Sequence, residues 1–209
     1  STSRGLGDVY KRQVLENMMN KIIHRGPDSG GTYIDDGIAL GFRRLSIIDL
    51  APGDQPILNE DGSKVLLFNG EIYNFQSIRE KLIAAGHKFK TKTDSEVLLH
   101  GYEEYGKNLL NMLRGMFAFV IWDSEKETLF GARDFFGIKP VYYAEIDGHF
   151  VFASEIKSIL AFPGYERKVN QKALEQYLSF QYSPLEETFF KGIYKLMPGH
   201  MLLYKNGNY

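Results

Sequence analysis

Apolar residues recur along this chain at two spacings, one typical of helices and one typical of strands. A spacing of three and four residues places Val14, Met18 and Ile22 on one face of a predicted amphipathic helix. Asn74 and Asp94 stand where helix caps are expected, each ahead of a similar apolar stripe. Glycines at the ends of these stripes are typical helix stops. Helices are predicted over 14–24, 75–85, 95–105, 155–161 and 171–180.

Short apolar runs bounded by turn residues predict a larger number of strands. They lie at 32–34, 38–42, 45–49, 64–69, 116–122, 128–132, 141–146, 150–154 and 201–205. Polar turns at 123–126 and 147–148 predict two antiparallel hairpins, and Asn69-Gly70 predicts a tight loop after its strand. The strand at 201–205 precedes a hairpin turn, so its partner is expected beyond the last residue. Helices and strands in separate runs predict an α+β fold.

The first thirteen residues lack apolar periodicity and an initiator methionine. We interpret 1–13 as a tag or a frayed arm that is not native to the domain, and 14–209 as one domain.

Composition narrows the class of protein. The 209 residues carry 25 Lys plus Arg against 26 Asp plus Glu, so a basic surface that binds nucleic acid is not expected. No apolar run approaches the roughly 18 residues of a membrane span, and no signal peptide is recognisable. A cytoplasmic protein without nucleic-acid or membrane partners is therefore predicted. The absence of cysteine excludes disulfides, thiolate metal sites and a cysteine nucleophile within this chain.

Familiar catalytic motifs are lacking. The sequence has no phosphate-binding P-loop, dinucleotide-binding glycine motif or H-E-x-x-H zinc motif. The segment Asp28-Ser29-Gly30-Gly31 resembles the surroundings of the serine in trypsin-like proteases, but Pro27 replaces the expected glycine. Ser29 also lies near the start of the chain and is followed by Asp49, His87, His100, His149 and His200, whereas that serine comes last in chain order. A serine protease is therefore rejected.

Five polar residues at strand and helix ends form a chemically complementary set: Arg44, Asn69, Gly70, Glu71 and Asp94. Each alone has a simpler explanation as a surface charge, a turn residue or a helix cap. Together they can do more, because a guanidinium binds a carboxylate and two carboxylates hold an ammonium group. An amide and a glycine N–H can stabilise an oxyanion. The set predicts a site for an α-amino acid whose carbonyl group is attacked.

Six segments, in this order, resemble the class II glutamine amidotransferase domain of glutamine-hydrolysing asparagine synthetases. They are His24-Arg25-Gly26-Pro27-Asp28, Arg44-Leu45-Ser46-Ile47-Ile48-Asp49, Asn69-Gly70-Glu71-Ile72-Tyr73-Asn74, Thr93-Asp94-Ser95-Glu96-Val97, Arg114-Gly115-Met116-Phe117-Ala118-Phe119, and Arg133-Asp134 with Gly137-Ile138-Lys139-Pro140. Ser154-Glu155-Ile156-Lys157 extends the resemblance, which covers about 14–209.

The resemblance implies a fold and a role for each candidate residue. The fold would be of the N-terminal nucleophile hydrolase type, a four-layer αββα sandwich of two antiparallel sheets between helices. Arg44 would bind the α-carboxylate of L-glutamine, and Glu71 and Asp94 its α-ammonium group. Asn69 and Gly70 would form the oxyanion hole. The pocket would be lined by Leu45, Ile47 and Ile48.

The resemblance also implies missing parts. The family nucleophile is a cysteine that opens a first strand reading Cys-Gly-Ile, and this chain contains no cysteine. A synthetase domain with an S-G-G-x-D-S loop, which uses ATP and Mg to activate aspartate, is absent as well. No cofactor and no metal site are expected in this domain, because its five histidines lack the spacing of metal ligands.

We therefore expect this chain to be the glutaminase domain of an asparagine synthetase. Such a domain releases ammonia from glutamine for the ATP-dependent amidation of aspartate, but this chain would be inactive without that cysteine. Its partners would be L-glutamine and a C-terminal synthetase domain, and a homodimer is compatible with the sequence. Two alternatives stay open: a non-catalytic glutamine-binding or docking module, and an amidotransferase for a different carboxylate acceptor.

Overall fold

The structure is a computed structural model that describes residues 2–44, 55–205 and 207–209, with side chains from residue 7. Its helices are α1 Thr2–Asn20, α2 Phe75–Ala84, α3 Ser95–Tyr105, α4 Ile156–Ile159 and α5 Gln171–Phe180, with 3-10 turns at Ile23–Arg25 and Gly106–Asn111. Its strands are β1 Ser29–Ile34, β2 Ala39–Arg44, β3 Ile57–Leu58, β4 Lys64–Ile72, β5 Gly115–Asp123, β6 Thr128–Arg133, β7 Tyr142–Ile146, β8 His149–Ala153, β9 Ile193–Lys195 and β10 Met201–Lys205. The strand predicted over 45–49 lies outside the described residues.

An antiparallel five-stranded sheet in the order β10-β6-β5-β4-β3 forms the centre of the domain. Its middle strands are apolar on both faces because successive side chains point to opposite sides of a sheet. Leu66 and Phe68 of β4 belong to one buried cluster, whereas Val65 and Leu67 belong to another. Each strand therefore supplies side chains to two packing layers.

Helices α2 and α3 cover one face of this sheet. Ile78 and Leu82 from α2 and Leu98 from α3 pack there against Phe119 and other side chains of the sheet. All four are almost completely buried. This face is a closed apolar core.

The other face is covered by a second layer of strands in two pieces. One piece is the β1–β2 hairpin, which brings Leu40 against Trp122, and the other is the sheet β8-β7-β9. Helices α1 and α4 lie outside this layer, where Met18 and Ile159 pack beside Ala144 of β7. The order helices, sheet, strands, helices confirms the predicted α+β class with antiparallel sheets between helices.

The first helix differs from its prediction. It begins at Thr2 and ends at Asn20, so the segment expected to fray is helical in the described structure. Long-range contacts favour the helix there: the Lys11 ammonium donates to the carbonyl oxygens of Asp35 at 2.9 Å and Asp36 at 2.8 Å. Periodicity could not reveal these contacts. Whether 1–13 is native to the domain stays a prediction.

Three predicted local features are also corrected. Strand β4 continues to Ile72, so Asn69-Gly70 lies within a strand and is not a tight loop. The Asn74 side chain does not cap α2, because it instead accepts from the Arg114 N–H at 2.8 Å and donates to a carbonyl oxygen. Asp94 likewise makes no side-chain cap. At both helix starts, a partner outside the helix binds the side chain that local spacing had assigned to the cap.

Other local predictions are confirmed. Strands β5 and β6 form one predicted hairpin and β7 and β8 the other, and the Asn170 side chain caps α5 by accepting from Ala173 N at 3.3 Å.

Strands β3 and β9 were not predicted, because two or three residues give no periodic signal. Strand β10 pairs with β6 on one side, and an antiparallel bridge between Lys205 and Asn208 lies at the predicted hairpin turn. A returning strand after that turn stays a prediction. None of the described helices is long and apolar enough to span a bilayer.

Candidate active site

A cleft of about 1810 Å³ separates the five-stranded sheet from the second strand layer. Residues of β4 and β5, of the strands β2 and β8, and of α1 line it. Five predicted site residues line this one cleft: Arg44, Asn69, Gly70, Glu71 and Asp94. Leu45, Ile47 and Ile48 lie outside the described residues. The structure thus brings together every predicted site residue that it describes.

One edge of β4 carries backbone groups toward the cleft. The Gln55 side chain occupies the edge at Phe68, accepting from Phe68 N at 2.6 Å and donating to Phe68 O at 2.8 Å. Asp94 occupies it at Ile72, whose N–H donates to the Asp94 carboxylate at 2.8 Å. Backbone groups of alternate residues share an edge, so the Gly70 N–H points the same way. Within the described residues no strand pairs with this edge beyond Phe68.

Gly70 is the residue that this geometry requires. Its φ of +153° is unfavourable for side-chain-bearing residues. A Cβ atom there would lie 2.1 Å from the Met116 carbonyl oxygen of β5. The register pairs Gly70 with Phe117 and Ile72 with Gly115, so two of the sequence motifs are neighbours in one ladder. Together the two motifs allow the backbones of β4 and β5 to approach each other closely.

Arg44 is held at the end of β2 by the segment 24–28. A Cβ atom on Gly26 would lie 2.4 Å from the Arg44 nitrogen, so only glycine allows this approach. The Asp28 N–H also donates to the Arg44 carbonyl oxygen at 3.2 Å. Arg25 and His24 contact the Glu155 carboxylate at 3.2 and 2.9 Å. These contacts join three sequence motifs behind the Arg44 backbone.

Asp134 fixes the loop that brings Lys139 to the cleft. Its fully buried carboxylate accepts from Ile138 N and Lys139 N, both at 2.9 Å, and from two further backbone N–H groups. Burial alone would raise the pKa of Asp134, but these backbone donors outweigh it and lower the pKa below its usual value. The motif that contains Asp134 is therefore a loop anchor.

The two carboxylates of the cleft lie in different environments. Asp94 is half-buried, and both burial and the nearby charge of Glu71 raise its pKa, against the lowering effect of the Ile72 N–H. Glu71 is exposed to solvent at the rim. A cationic ligand would relieve the repulsion between these carboxylates. An ammonium group fits this requirement.

Sequence reasoning missed Gln55 and the anchoring role of Asp134. Gln55 gave no signal, because its hydrogen bonds to Phe68 depend on a partner thirteen residues away. Asp134 did stand in a recognised motif, but its role as an acceptor of four backbone N–H groups needed the folded loop.

Comparison with known proteins agrees with this geometry. A family described as "Glutamine amidotransferase domain" matches residues 5–209, nearly the whole chain. The chain belongs to this family. The recognition made from the sequence motifs is thereby confirmed.

Several curated relatives are much longer than this amidotransferase domain. Asparagine synthetase [glutamine-hydrolyzing] 1 and 2 of Bacillus subtilis (strain 168) are each 45% identical to it over 90% of this chain, which corresponds to 30% and 26% of those proteins. Amidase chry2 of Gibberella zeae is 40% identical over 90% of this chain and 28% of its own length. The chain spans less than a third of these relatives.

Solved structures support the fold. Glutamine phosphoribosylpyrophosphate amidotransferase from B. subtilis superposes with a TM-score of 0.59 and 25% identity, covering 76% of this chain and 42% of that one. A structure titled as the allosteric regulatory enzyme of purine biosynthesis gives a TM-score of 0.62 at 25% identity and the same coverage. These neighbours confirm the amidotransferase fold inferred from the motifs.

Proposed function

We propose that this domain binds L-glutamine in the cleft and forms the glutaminase part of an asparagine synthetase. The observation that supports this most directly is the grouping of Arg44, Asp94, Glu71 and the Gly70 N–H around one cleft. A guanidinium, two carboxylates and an exposed backbone donor match the two ends of an α-amino acid and its reacting carbonyl.

Each group has a specific task in this proposal. The Arg44 guanidinium binds the α-carboxylate, and Asp94 and Glu71 hold the α-ammonium group. The Asn69 amide and the Gly70 N–H stabilise negative charge on the carboxamide oxygen as it is attacked. Gly70 suits this task because it lines the cleft and lies between the positions of this edge at which the Gln55 and Asp94 side chains bind Phe68 and Ile72.

The nucleophile would come from a further extended strand in the complete protein. Strands β2 and β8 each pair on one side only within the described residues, and both line the cleft. A strand between them would join the two pieces of the second layer into one sheet. The cleft exceeds the roughly 300–1,000 Å³ of an ordinary small-molecule site, so it has room for such a strand as well as a ligand.

A cysteine on that strand would complete the chemistry. Its thiolate attacks the side-chain carboxamide carbon of glutamine, the C–N bond breaks, and the nitrogen leaves as ammonia after taking a proton. Water then hydrolyses the thioester to glutamate and regenerates the thiol. Since this chain contains no cysteine, we expect it to bind glutamine without turnover.

The acceptor of the ammonia belongs to the remainder of the protein. Aspartate is proposed because the two B. subtilis relatives are named asparagine synthetases. ATP and Mg would be used by that synthetase part. The 209 residues of this chain contain no S-G-G-x-D-S loop, so they offer no such binding site for ATP and Mg. We place the complete protein in the cytoplasm, and homodimer formation is part of the same proposal.

Two other functions are kept as candidates. An amidotransferase for a different carboxylate acceptor is kept because Amidase chry2, a relative with 40% identity, is not named an asparagine synthetase. The lack of cysteine favours a non-catalytic glutamine-binding or docking module.

Glutamine binding to the chain alone tests the pocket. We expect Arg44→Ala to weaken binding at least about tenfold in calorimetry, equivalent to about 1.4 kcal/mol. Arg167→Ala, at an exposed position outside the cleft, should leave the affinity unchanged. Equal affinities for wild type and Arg44→Ala would remove Arg44 from the site.

Adding the strand tests the catalytic part of the proposal. A peptide that opens with Cys-Gly-Ile, fused or added to the chain, should restore release of glutamate and ammonia. The same peptide with serine in place of cysteine should bind in the cleft as a strand but should give no turnover of glutamine. If the cysteine peptide binds in the cleft and no glutamate forms, the domain is a binding module.

A further inference from the structure

Two histidines and a glutamate form a compact cluster on the helical side of the domain, outside the cleft. His87 lies in the connection between α2 and α3, and His100 and Glu103 lie one turn apart on α3. One potential ligand atom from each of these residues lies within 4.8 Å of the other two. None of the three lines the cleft, so the glutamine chemistry does not account for them.

The distances suit a small metal ion. The Glu103 Oε2 atom lies 3.0 Å from His100 Nδ1 and 3.7 Å from His87 Nδ1. Ligand atoms about 2.0–2.1 Å from a tetrahedral ion lie about 3.3 Å from each other. The two distances to Glu103 lie on either side of this value, and the two histidine ligand atoms lie within 4.8 Å of each other.

A second set of polar groups orients the candidate ligands. Asn59 donates to the other Glu103 oxygen at 2.8 Å. The Nε2 atom of His87 lies 3.2 Å from the Glu104 carboxylate. The Nε2 atom of His100 lies 3.6 Å from carboxylate oxygens of both Glu60 and Glu96. A carboxylate behind each metal-binding histidine is the usual arrangement, because it fixes the ring and its tautomer.

His100 supplies an independent observation. Its side chain is 2% exposed, and its buried Nε2 atom has no hydrogen-bond partner among the residues that the structure describes. A buried polar atom without a partner is unfavourable, so a tautomer that places a proton on Nε2 and directs it at nearby carboxylates would be favoured. A metal on Nδ1 would require the proton on Nε2, which faces Glu60 and Glu96. Glu96 is itself held in place by the N–H groups of Lys90 and Thr91.

We propose that His87 Nδ1, His100 Nδ1 and Glu103 Oε2 bind a divalent transition-metal ion of the zinc type, with water completing the shell. Two imidazoles and one carboxylate form a donor set that suits zinc and its neighbours, whereas Mg²⁺ and Ca²⁺ prefer oxygen ligands alone. The ion links His87, in the connection between α2 and α3, to His100 and Glu103 on α3. Its role is structural, because the cluster lies apart from the cleft.

The test uses the complete chain, purified without a polyhistidine tag, and Zn²⁺ alone as the probe. Calorimetry should show one tight site per chain, and Mg²⁺ at the same concentration should not bind there. His87→Gln should lower the Zn²⁺ affinity at least about thirtyfold. Glu104→Gln should lower it about ten- to hundredfold, as expected for a residue that orients a ligand. His149→Gln, an exposed histidine elsewhere, should leave the affinity unchanged.

Cobalt provides a second readout. Co²⁺ bound by the wild-type chain should show visible absorption typical of tetrahedral coordination, and His87→Gln should abolish it. Because His100 is buried, its Gln variant is judged only if it folds, and His87 and Glu104 carry the test otherwise. Equal Zn²⁺ affinity in wild type and His87→Gln would overturn the proposal. So would an equal loss in His149→Gln.

Discussion

The two faces of the five-stranded sheet differ in how completely they are packed. Toward α2 and α3 the side chains form one closed cluster that includes Phe68, Phe119 and Leu98. Toward the second strand layer the buried residues divide into smaller clusters around Leu67 and Tyr143, with the cleft beside them. The same strands build both faces, because alternate side chains point in opposite directions. The same strands thus contribute to a closed core on one face and to a cleft on the other.

Truncation of the closed face should have the largest effect on stability. Phe119→Ala removes a ring that is 2% exposed, and we expect it to lower the free energy of unfolding by about 3–5 kcal/mol. Phe136→Ala removes a ring that is 78% exposed and should change it by less than about 0.5 kcal/mol. Urea denaturation measures both. Similar losses in the two variants would contradict the assignment of the core to this face.

The next effect concerns Asp134, which anchors a loop at the open face. Asp134→Asn keeps the size but removes the charge that four backbone N–H groups contact, so we expect a loss of about 2–4 kcal/mol. Asp8→Asn, at an exposed position, is the control. Denaturation at neutral pH checks the difference.

The pH dependence of stability sharpens the same prediction. The folded pKa of Asp134 is lowered, so its stabilising contribution is present above the unfolded pKa of about 3.9 and is lost as pH falls through the folded pKa. The wild type should therefore lose stability more steeply than Asp134→Asn below about pH 4. Parallel pH profiles would show that the charge is not the source of the stabilisation.

A smaller effect on stability is expected for Gly70, on the open face. Gly70→Ala forces a Cβ atom to within 2.1 Å of the Met116 carbonyl oxygen at a φ of +153°, and should destabilise the fold by about 1–3 kcal/mol. Glutamine binding should weaken as well. Gly86 also has a positive φ, but a Cβ atom added there would have no described atom within 4 Å. Gly86→Ala therefore measures the effect of the backbone conformation alone. Equal effects in the two variants would mean that the contact with Met116 is unimportant.

The smallest effect is the pH dependence of binding through Asp94. Burial and the charge of Glu71 raise its pKa, so its negative charge is lost at a higher pH than that of an ordinary aspartate. Glutamine affinity should fall about tenfold as pH decreases through this raised pKa, at the level of a single charged hydrogen bond. Asp94→Asn should bind weakly at all these pH values. Calorimetry between about pH 4 and pH 7 covers the range. A wild-type affinity independent of pH would contradict the role of Asp94.

Local patterns predicted the elements more accurately than their ends. The hairpins β5–β6 and β7–β8 follow from short polar turns between apolar runs, and the Asn170 cap follows from local spacing. The ends of β4 and α1 were wrong because they depend on distant partners. Gly115 pairs with Ile72 at the end of β4, and Lys11, near the middle of α1, donates to the carbonyl oxygens of Asp35 and Asp36.

By itself the sequence determined the α+β class, the family and the identities of the candidate site residues. These follow from periodicity, turn chemistry and ordered motifs, all of which depend on neighbours along the chain. Only the tertiary structure decided that Arg44, Gly70 and Asp94 share one cleft and that Gln55 and Asp134 support it. It also brought His87 beside His100. The physical reason is that these contacts join residues far apart in the chain, whose positions depend on the packing of whole layers.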